Sequence, residues 1–234
     1  MGSNAPHGNN VCFFASASDA PPVEDGMFRV TLDDDSVLDL PIKPLPNKRA
    51  AIALLMSNQV SFSVDEQLIG RLLPKIVPLA PDVIVGVPTS GLHYARVIAE
   101  HLGHHHYVAL GQSRKFWFDD RYSEPASSIT SLGTNRHLYL DPNLAERVAG
   151  KRVLLIDDAI STAGTAQAAL RLLKRLEADT VALAVALTEG DRWVHTLNEF
   201  EPGWADNVIS LGHIPALKRS GKGWQAVPDA IQKQ

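Results

Sequence analysis

The apolar positions of this chain fall into two regimes. Phe28, Val30 and Leu32 alternate with polar neighbours ahead of Asp33-Asp34-Asp35-Ser36, and Val37, Leu38 and Leu40 follow, which predicts a β-hairpin with three acids at a solvated tip. From Pro81 onward the pattern becomes strand, turn, helix, repeated. Val83-Ile84-Val85-Gly86-Val87 is a continuous apolar run, and the amphipathic stretch 92–102 after it is closed by Gly103, a residue suited to a helix C-terminus. Residues 107–110, 153–156, 181–187 and 208–211 read as further strands and 166–176 as a further helix. Strands alternating with helices predict an α/β fold: a doubly wound, mostly parallel sheet of about five strands, covered on both faces. In such sheets ligands sit at the carboxyl ends of the strands.

Three segments have no such period. Residues 1–26, with Gly, Ser, Asn, Ala and Pro21-Pro22, are expected to be a disordered tail. Ser63-Val64-Asp65-Glu66 matches a capping box, so a helix should run from there to Leu73, where Pro74 disfavours helical backbone for its predecessor. Residues 111–135 are rich in Ser, charges and isolated aromatics, and a connection this long inside a compact domain is expected to be a lid or binding loop. No repeat is visible, and 234 residues suit one domain, 27–234, with its core at 81–211.

Composition narrows the partners. Apolar residues make up 45% and charged residues 21%, the range of a globular protein. With 22 Lys and Arg against 26 Asp and Glu and no long basic block, nucleic acid is not an expected partner. No apolar run is long enough for a membrane span. Cys12 is the single cysteine and the opening residues lack a secretory pattern, so a cytoplasmic location is expected.

The chemistry concentrates in residues 153–165. The apolar strand Val153-Leu154-Leu155-Ile156 delivers Asp157 and Asp158, and Ala159, Ile160, Ser161, Thr162, Ala163, Gly164 and Thr165 lead into the next helix. Small hydroxyl residues at a helix start present free backbone N–H groups and a positive dipole end, which bind a phosphate. Paired carboxylates would repel a bare polyphosphate but accept hydrogen bonds from a vicinal diol. Ribose 5-phosphate carries both groups. Thr89, Ser90 and the Gly91 N–H, where the first core strand meets its helix, are suited to a second anion. Trp193, after the fourth strand, either stacks on a nucleobase or packs in the C-terminal region. His104, His105 and His106 fall at a helix end with no Cys or carboxylate interleaved and read as a solvated turn rather than a metal site.

Residues 153–165 closely resemble the phosphoribosyl pyrophosphate signature of the type I phosphoribosyltransferases, and the resemblance spans about 81–211. It implies transfer of ribose 5-phosphate from phosphoribosyl pyrophosphate to a nitrogenous base, with Mg²⁺ as cofactor and a homodimer as the assembly. It implies that the Thr89-Ser90-Gly91 loop holds pyrophosphate and that Arg114 or Lys115, beside Phe116, Trp117 and Phe118, reaches the leaving group from a closing lid. Mg²⁺ would bind through the substrate, with Asp157 and Asp158 beside it. Segments 27–80 and 212–234 would form the hood over the base. Ser161 stands where hypoxanthine and guanine enzymes carry an acid. The nine-residue span from Asp157 to Thr165 matches the adenine and hypoxanthine types in length and bacterial orotate enzymes less well, which points to a purine, adenine-like acceptor ahead of a pyrimidine one. Ala163 stands where many members have a second glycine, and its methyl fits if the backbone there is right-handed. A non-catalytic regulator with the same site is disfavoured by the acidic N-terminal region, and an NAD-binding fold by the lack of a Gly-x-Gly-x-x-Gly after any strand.

Overall fold

The structure, a computed structural model, describes residues 13–15, 23–24, 26–46, 48–127, 136–221 and 223–227; Cys12 lies outside them. The chain first builds an antiparallel sheet from β1 (Phe13–Ala15), β2 (Val23–Glu24), β3 (Met27–Thr31), β4 (Val37–Pro44) and β5 (Ala50–Ala53). β3 and β4 form the expected hairpin, with Phe28 opposite Leu40 and Val30 opposite Leu38, all buried. Its acidic tip is not merely solvated: Asp34 accepts from Arg71 at 2.7 Å and Asp33 pairs with Lys75, both bases lying on the helix that follows. Exposed pairs of this kind contribute at most about 1 kcal/mol.

The expected disordered tail needs a correction where it is described. β1 pairs with β4, Phe14 opposite Leu38, and the Arg71 guanidinium lies 4.7 Å from the Phe14 ring centre. β2 pairs with the start of β3. Strands of two and three residues are too short to show an alternation, so periodicity missed them. The other residues of 1–26, apart from Gly26, fall outside the described ones.

Helix α1 (Phe62–Ile76) is capped two residues earlier than expected: Ser61, not Ser63, is the N-cap, its Oγ accepting from the Val64 N–H at 3.3 Å. Pro74 lies inside its last turn rather than ending it. The helix loses one hydrogen bond there and continues, because Leu72 and Ile76 on either side are fully buried.

The core follows in chain order as β6 (Val83–Gly86), α2 (Gly91–His101), β7 (Val108–Ala109), β8 (Ser123–Ala126), β9 (Arg136–Tyr139), α3 (Ala145–Val148), β10 (Arg152–Ile156), β11 (Ala159–Ile160), α4 (Gly164–Arg175), β12 (Asp179–Ala184), β13 (Leu187–Glu189), α5 (Arg192–Phe200), β14 (Val208–Ile209) and β15 (Gly212–Ile214). Five of these strands form a wholly parallel sheet in the order β14-β12-β10-β6-β7. The run read as continuously apolar alternates between two cores: Leu154 and Ile156 pack with Leu68, Leu72, Tyr94 and Ile98 of α1 and α2, while Val153 and Leu155 pack with Ala169, Leu172 and Leu173 of α4. The sheet is therefore doubly wound, as expected. Each fully buried Leu or Ile contributes roughly 1.5–3 kcal/mol.

Three neighbouring strands, β10, β12 and the edge strand β14, break at the same level and resume. β10 stops before Asp157-Asp158 and restarts as β11; β12 restarts as β13 after Val185-Ala186; β14 restarts as β15 after Ser210-Leu211. The resumed strands pair in parallel in the order β11-β13-β15. Backbone pairing bridges the gap, with the Asp157 N–H donating to Ala184 O at 3.1 Å and the Ala186 N–H to Asp158 O at 3.0 Å. The acids can leave the sheet line without orphaning their peptide groups.

The chain ends in the hairpin β16 (Ala216–Ser220) and β17 (Gly223–Val227), and β16 pairs with β5, Leu217 opposite Ala51. The N- and C-terminal segments thus share one sheet. β8 and β9 pair antiparallel, β8 inside the segment 111–135 read as an aperiodic loop and β9 directly after it; residues 128–135 fall outside the described ones.

Candidate functional site

A cavity of about 680 Å³ opens at the carboxyl ends of β6 and β10 and is lined by every residue from Asp157 to Thr165. This volume suits a small organic ligand. Its far wall, Pro44 to Pro46 and Ile52 to Met56, comes from the terminal sheet.

Asp157 and Asp158 occupy the strand break. The Asp158 N–H donates to Asp157 Oδ1 at 2.9 Å and the Gly91 N–H to the Asp157 carboxylate. The Ala159 N–H donates to Asp158 Oδ1 at 2.9 Å, and the Ser90 hydroxyl also reaches Asp158. Burial still pushes both carboxyls above the ordinary range, Asp157 well above it, and in Asp157 the neighbouring Asp158 charge adds to the effect. Burial outweighs these donors, and a cation or further hydroxyl donors at the pair would offset it.

Helix α4 starts at Gly164 with no side-chain cap, and its first internal bond is from the Gln167 N–H to Ala163 O, 2.8 Å. The amides of 164–166 are therefore available to an anion. Ala163 is left-handed, φ +59° and ψ +7°, which corrects the condition set for its methyl: the residue occupies the backbone that glycine favours, and it does so buried. Ser127, which directly follows β8, lies over this turn. Its carbonyl accepts from Thr165 Oγ1 at 3.0 Å, and a side chain at Gly164 would collide with it.

Of the second loop, Thr89 and Ser90 line the cavity, and the Pro88–Thr89 peptide is cis. Gly91 does not. A Cβ there would stand 2.5 Å from Ile156 O and 2.8 Å from Asp157 Cα, so its N–H is committed to Asp157 rather than open to a second anion. Gln112 joins the loop from outside, its Nε2 donating to Pro88 O at 3.0 Å.

Arg114 and Lys115 are not brought to the cavity. Arg114 pairs with Asp120, and Phe116 beside them is 98% exposed. Trp193 also lies outside the lining: its indole N–H donates to Gly190 O at 2.9 Å and its ring packs on the α4 core. The packing alternative, not the stacking one, describes its position. Residues the sequence reading missed are Arg136 and His137 of β9 and Glu189 at the end of β13, all lining the cavity. Burial raises the Glu189 carboxyl to about 7 against a hydrogen bond from the Ser161 hydroxyl. Its signal was a carboxylate at the exit of a buried strand, the place where this kind of fold binds ligands.

Among the described residues no group of three or more His, Cys, Asp or Glu could hold a metal ion, and no helix is long and apolar enough to cross a membrane. The two raised carboxyls fit Mg²⁺ held chiefly through ligand oxygens, the mode in which this ion keeps much of its hydration.

An uncapped helix start and a buried acid pair share one cavity at the mouth of a parallel sheet, the arrangement of an α/β protein with its ligand site at the strand ends. Residues 64–206 match the phosphoribosyl transferase domain, so the chain belongs to that family. The amidophosphoribosyltransferase of Mycobacterium tuberculosis is 34% identical over 121 residues, 51% of this chain but 21% of the relative; the chain spans about a fifth of that protein's length. The adenine phosphoribosyltransferase of Thermotoga petrophila is 30% identical over 133 residues, 57% of this chain and 72% of the relative. The solved adenine phosphoribosyltransferase of Giardia lamblia, complexed with 9-deazaadenine, superposes with a TM-score of 0.57 at 17% identity, covering 72% of this chain and 91% of that one.

Proposed function

We propose that this protein transfers ribose 5-phosphate from phosphoribosyl pyrophosphate to a nitrogenous base, an adenine-like purine in the first place, and releases pyrophosphate. The observation that carries the reading is the acid pair Asp157-Asp158 standing beside the uncapped start of α4 in one cavity. The ribose hydroxyls meet the carboxylates, and the 5-phosphate meets the amides of 164–166 with Thr162 and Thr165, displacing Ser127 from Thr165, while the backbone of Ser161 completes the turn and its hydroxyl stays with Glu189. Thr89 and Ser90 face the pyrophosphate. Asp157 and Asp158 would stand beside a Mg²⁺ brought in with the substrate, which would supply charge neutralisation at the leaving group.

The reaction breaks the C1′–O bond to pyrophosphate through an oxocarbenium-like state and forms a C1′–N bond. The chain's own part is to orient the sugar and exclude water. Arg114 and Lys115 act on the closed form of their loop, which must first give up the Arg114–Asp120 pair. The adenine preference is supported by the Thermotoga and Giardia proteins' names and by a cavity with room for a base against Ile52 to Met56. We place the protein in the cytoplasm as a homodimer serving nucleotide salvage, an assembly that light scattering tests directly.

The test is pyrophosphate release with Mg²⁺, phosphoribosyl pyrophosphate and a panel of purine and pyrimidine bases, beside calorimetric binding. Asp157→Asn with Asp158→Asn should abolish binding of phosphoribosyl pyrophosphate; undiminished binding removes the site assignment. Binding without turnover on any base makes the protein a sensor, and turnover on orotate alone overturns the purine reading.

A further inference from the structure

Glu189 is the cavity carboxyl that the sugar phosphate does not use. It ends β13, whose Thr188 pairs across the ladder with Ile160, so Glu189 stands beside Ser161, and the Ser161 hydroxyl donates to it. On its other side it pairs with Ile214, which also lines the cavity. Resting on the reading above, we propose that Glu189 is the catalytic residue that takes the proton from the attacking nitrogen, and that Ser161 is the residue that positions it. As the N–C1′ bond forms, the C1′–O bond breaks and its electron pair leaves with pyrophosphate. The proton of the nitrogen passes to the Glu189 carboxylate, one N–H being exchanged for one O–H.

The other proton acceptors of the lining are differently placed. Asp157 and Asp158 already accept from Gly91, Asp158, Ala159 and Ser90, and they face the sugar hydroxyls. His137 stands on the hairpin β9, 6.0 Å from the Tyr139 ring centre. The β15 histidine, His213, is bonded to Thr188 Oγ1 at 2.8 Å, on the opposite face of the strands from Glu189 and Ile214. Of the charged groups around β13, Glu189 thus combines a place in the cavity with a single bound hydroxyl donor. A carboxyl raised to about 7 is an effective proton acceptor near neutral pH and, in the reverse reaction, an effective donor.

The experiment measures steady-state pyrophosphate release against pH and calorimetric binding of phosphoribosyl pyrophosphate on the full chain. Glu189→Gln should lower kcat about 100-fold or more, erase the acid limb of the kcat profile, and leave binding of phosphoribosyl pyrophosphate unchanged. Ser161→Ala should shift that limb to higher pH, because the hydroxyl that holds the carboxyl down is gone; this readout stands even if the Gln variant does not fold. An unshifted limb in Ser161→Ala, a Glu189→Gln enzyme with near-native kcat, or a limb that survives in it and vanishes in His137→Gln would overturn the assignment. A wild-type chain that binds no phosphoribosyl pyrophosphate refutes the donor site itself. Wild-type binding and turnover with an indifferent Glu189→Gln refutes this inference alone.

Discussion

Gly91 lies against Asp157 with no room for a side chain: a Cβ there would stand 3.1 Å from Asp157 Oδ1 and 2.8 Å from its Cα. The loop after β6 and the acid pair after β10 therefore form one packed unit. Gly91→Ala should push them apart, costing about 2–3 kcal/mol by urea denaturation and weakening binding of phosphoribosyl pyrophosphate at least tenfold by calorimetry. A variant with native stability and affinity would show the two loops to be independent.

The acid pair is held against its own preference. Burial and the adjoining charge raise Asp157 well above its ordinary value, so removing that charge should stabilise the ligand-free chain while removing the function. Asp157→Asn is expected to melt about 2–4 °C higher, the shift of roughly 1 kcal/mol for a chain of this size, and to gain nothing from added phosphoribosyl pyrophosphate. Differential scanning fluorimetry with and without ligand reads both effects. A lower melting temperature would mean that the carboxylate stabilises the fold.

Glu189 gives stability a pH dependence of known sign. A carboxyl raised on folding binds its proton more tightly in the native chain, so its contribution is full below the unfolded value of 4.5 and is lost as pH rises through about 7. Unfolding free energy in urea should fall between about pH 5 and pH 8, and Glu189→Gln should flatten part of that slope. An equal slope in the two proteins contradicts the raised value.

Ala163 sets two effects against each other. Its left-handed backbone costs about 1 kcal/mol that glycine would avoid, but its buried methyl contributes roughly 0.8 kcal/mol and it restrains the unfolded chain. Ala163→Gly should then lie within about 0.5 kcal/mol of wild type, whereas Ala163→Val, branched and left-handed, should cost about 2 kcal/mol or more. Chemical denaturation separates the cases, and a tolerated valine would argue for a different backbone at the turn.

Two groups of cations should fail differently. Arg136 lines the cavity and Arg114 and Lys115 do not. Arg136→Ala is expected to weaken phosphoribosyl pyrophosphate binding about tenfold, while Arg114→Ala with Lys115→Ala lowers kcat more than it weakens binding of ribose 5-phosphate, which lacks the pyrophosphate. Unchanged turnover in the double variant would remove the lid assignment.

The donor half of the site was legible because it is local. Strand, acids and hydroxyl turn are contiguous from Val153 to Thr165, so their order alone carries the geometry. The opposite wall is assembled from afar: Pro44 to Pro46 and Ile52 to Met56 meet the acid pair in space, with the Ser57 hydroxyl donating to Ser90 O at 3.1 Å, and no period in the segment announces that. Arg136 and His137 were hidden by the short hairpin that carries them. Gly91 read as an anion donor from its place in the loop, and only the close approach of β10 shows its amide to be taken. Trp193 carried the more conspicuous side chain, although Glu189, which closes β13, is the group that lines the cavity.

The shared interruption in β10, β12 and β14 works as a fault line. Below it the strands are locked by two cores; above it they pair as a second, smaller sheet, whose Leu187 and Ile214 pack with Phe28, Val30 and Leu217 of the terminal segments. Under the proposed function, exchanging the terminal segments should therefore change which acceptor the pocket takes while residues 153–165 keep the sugar.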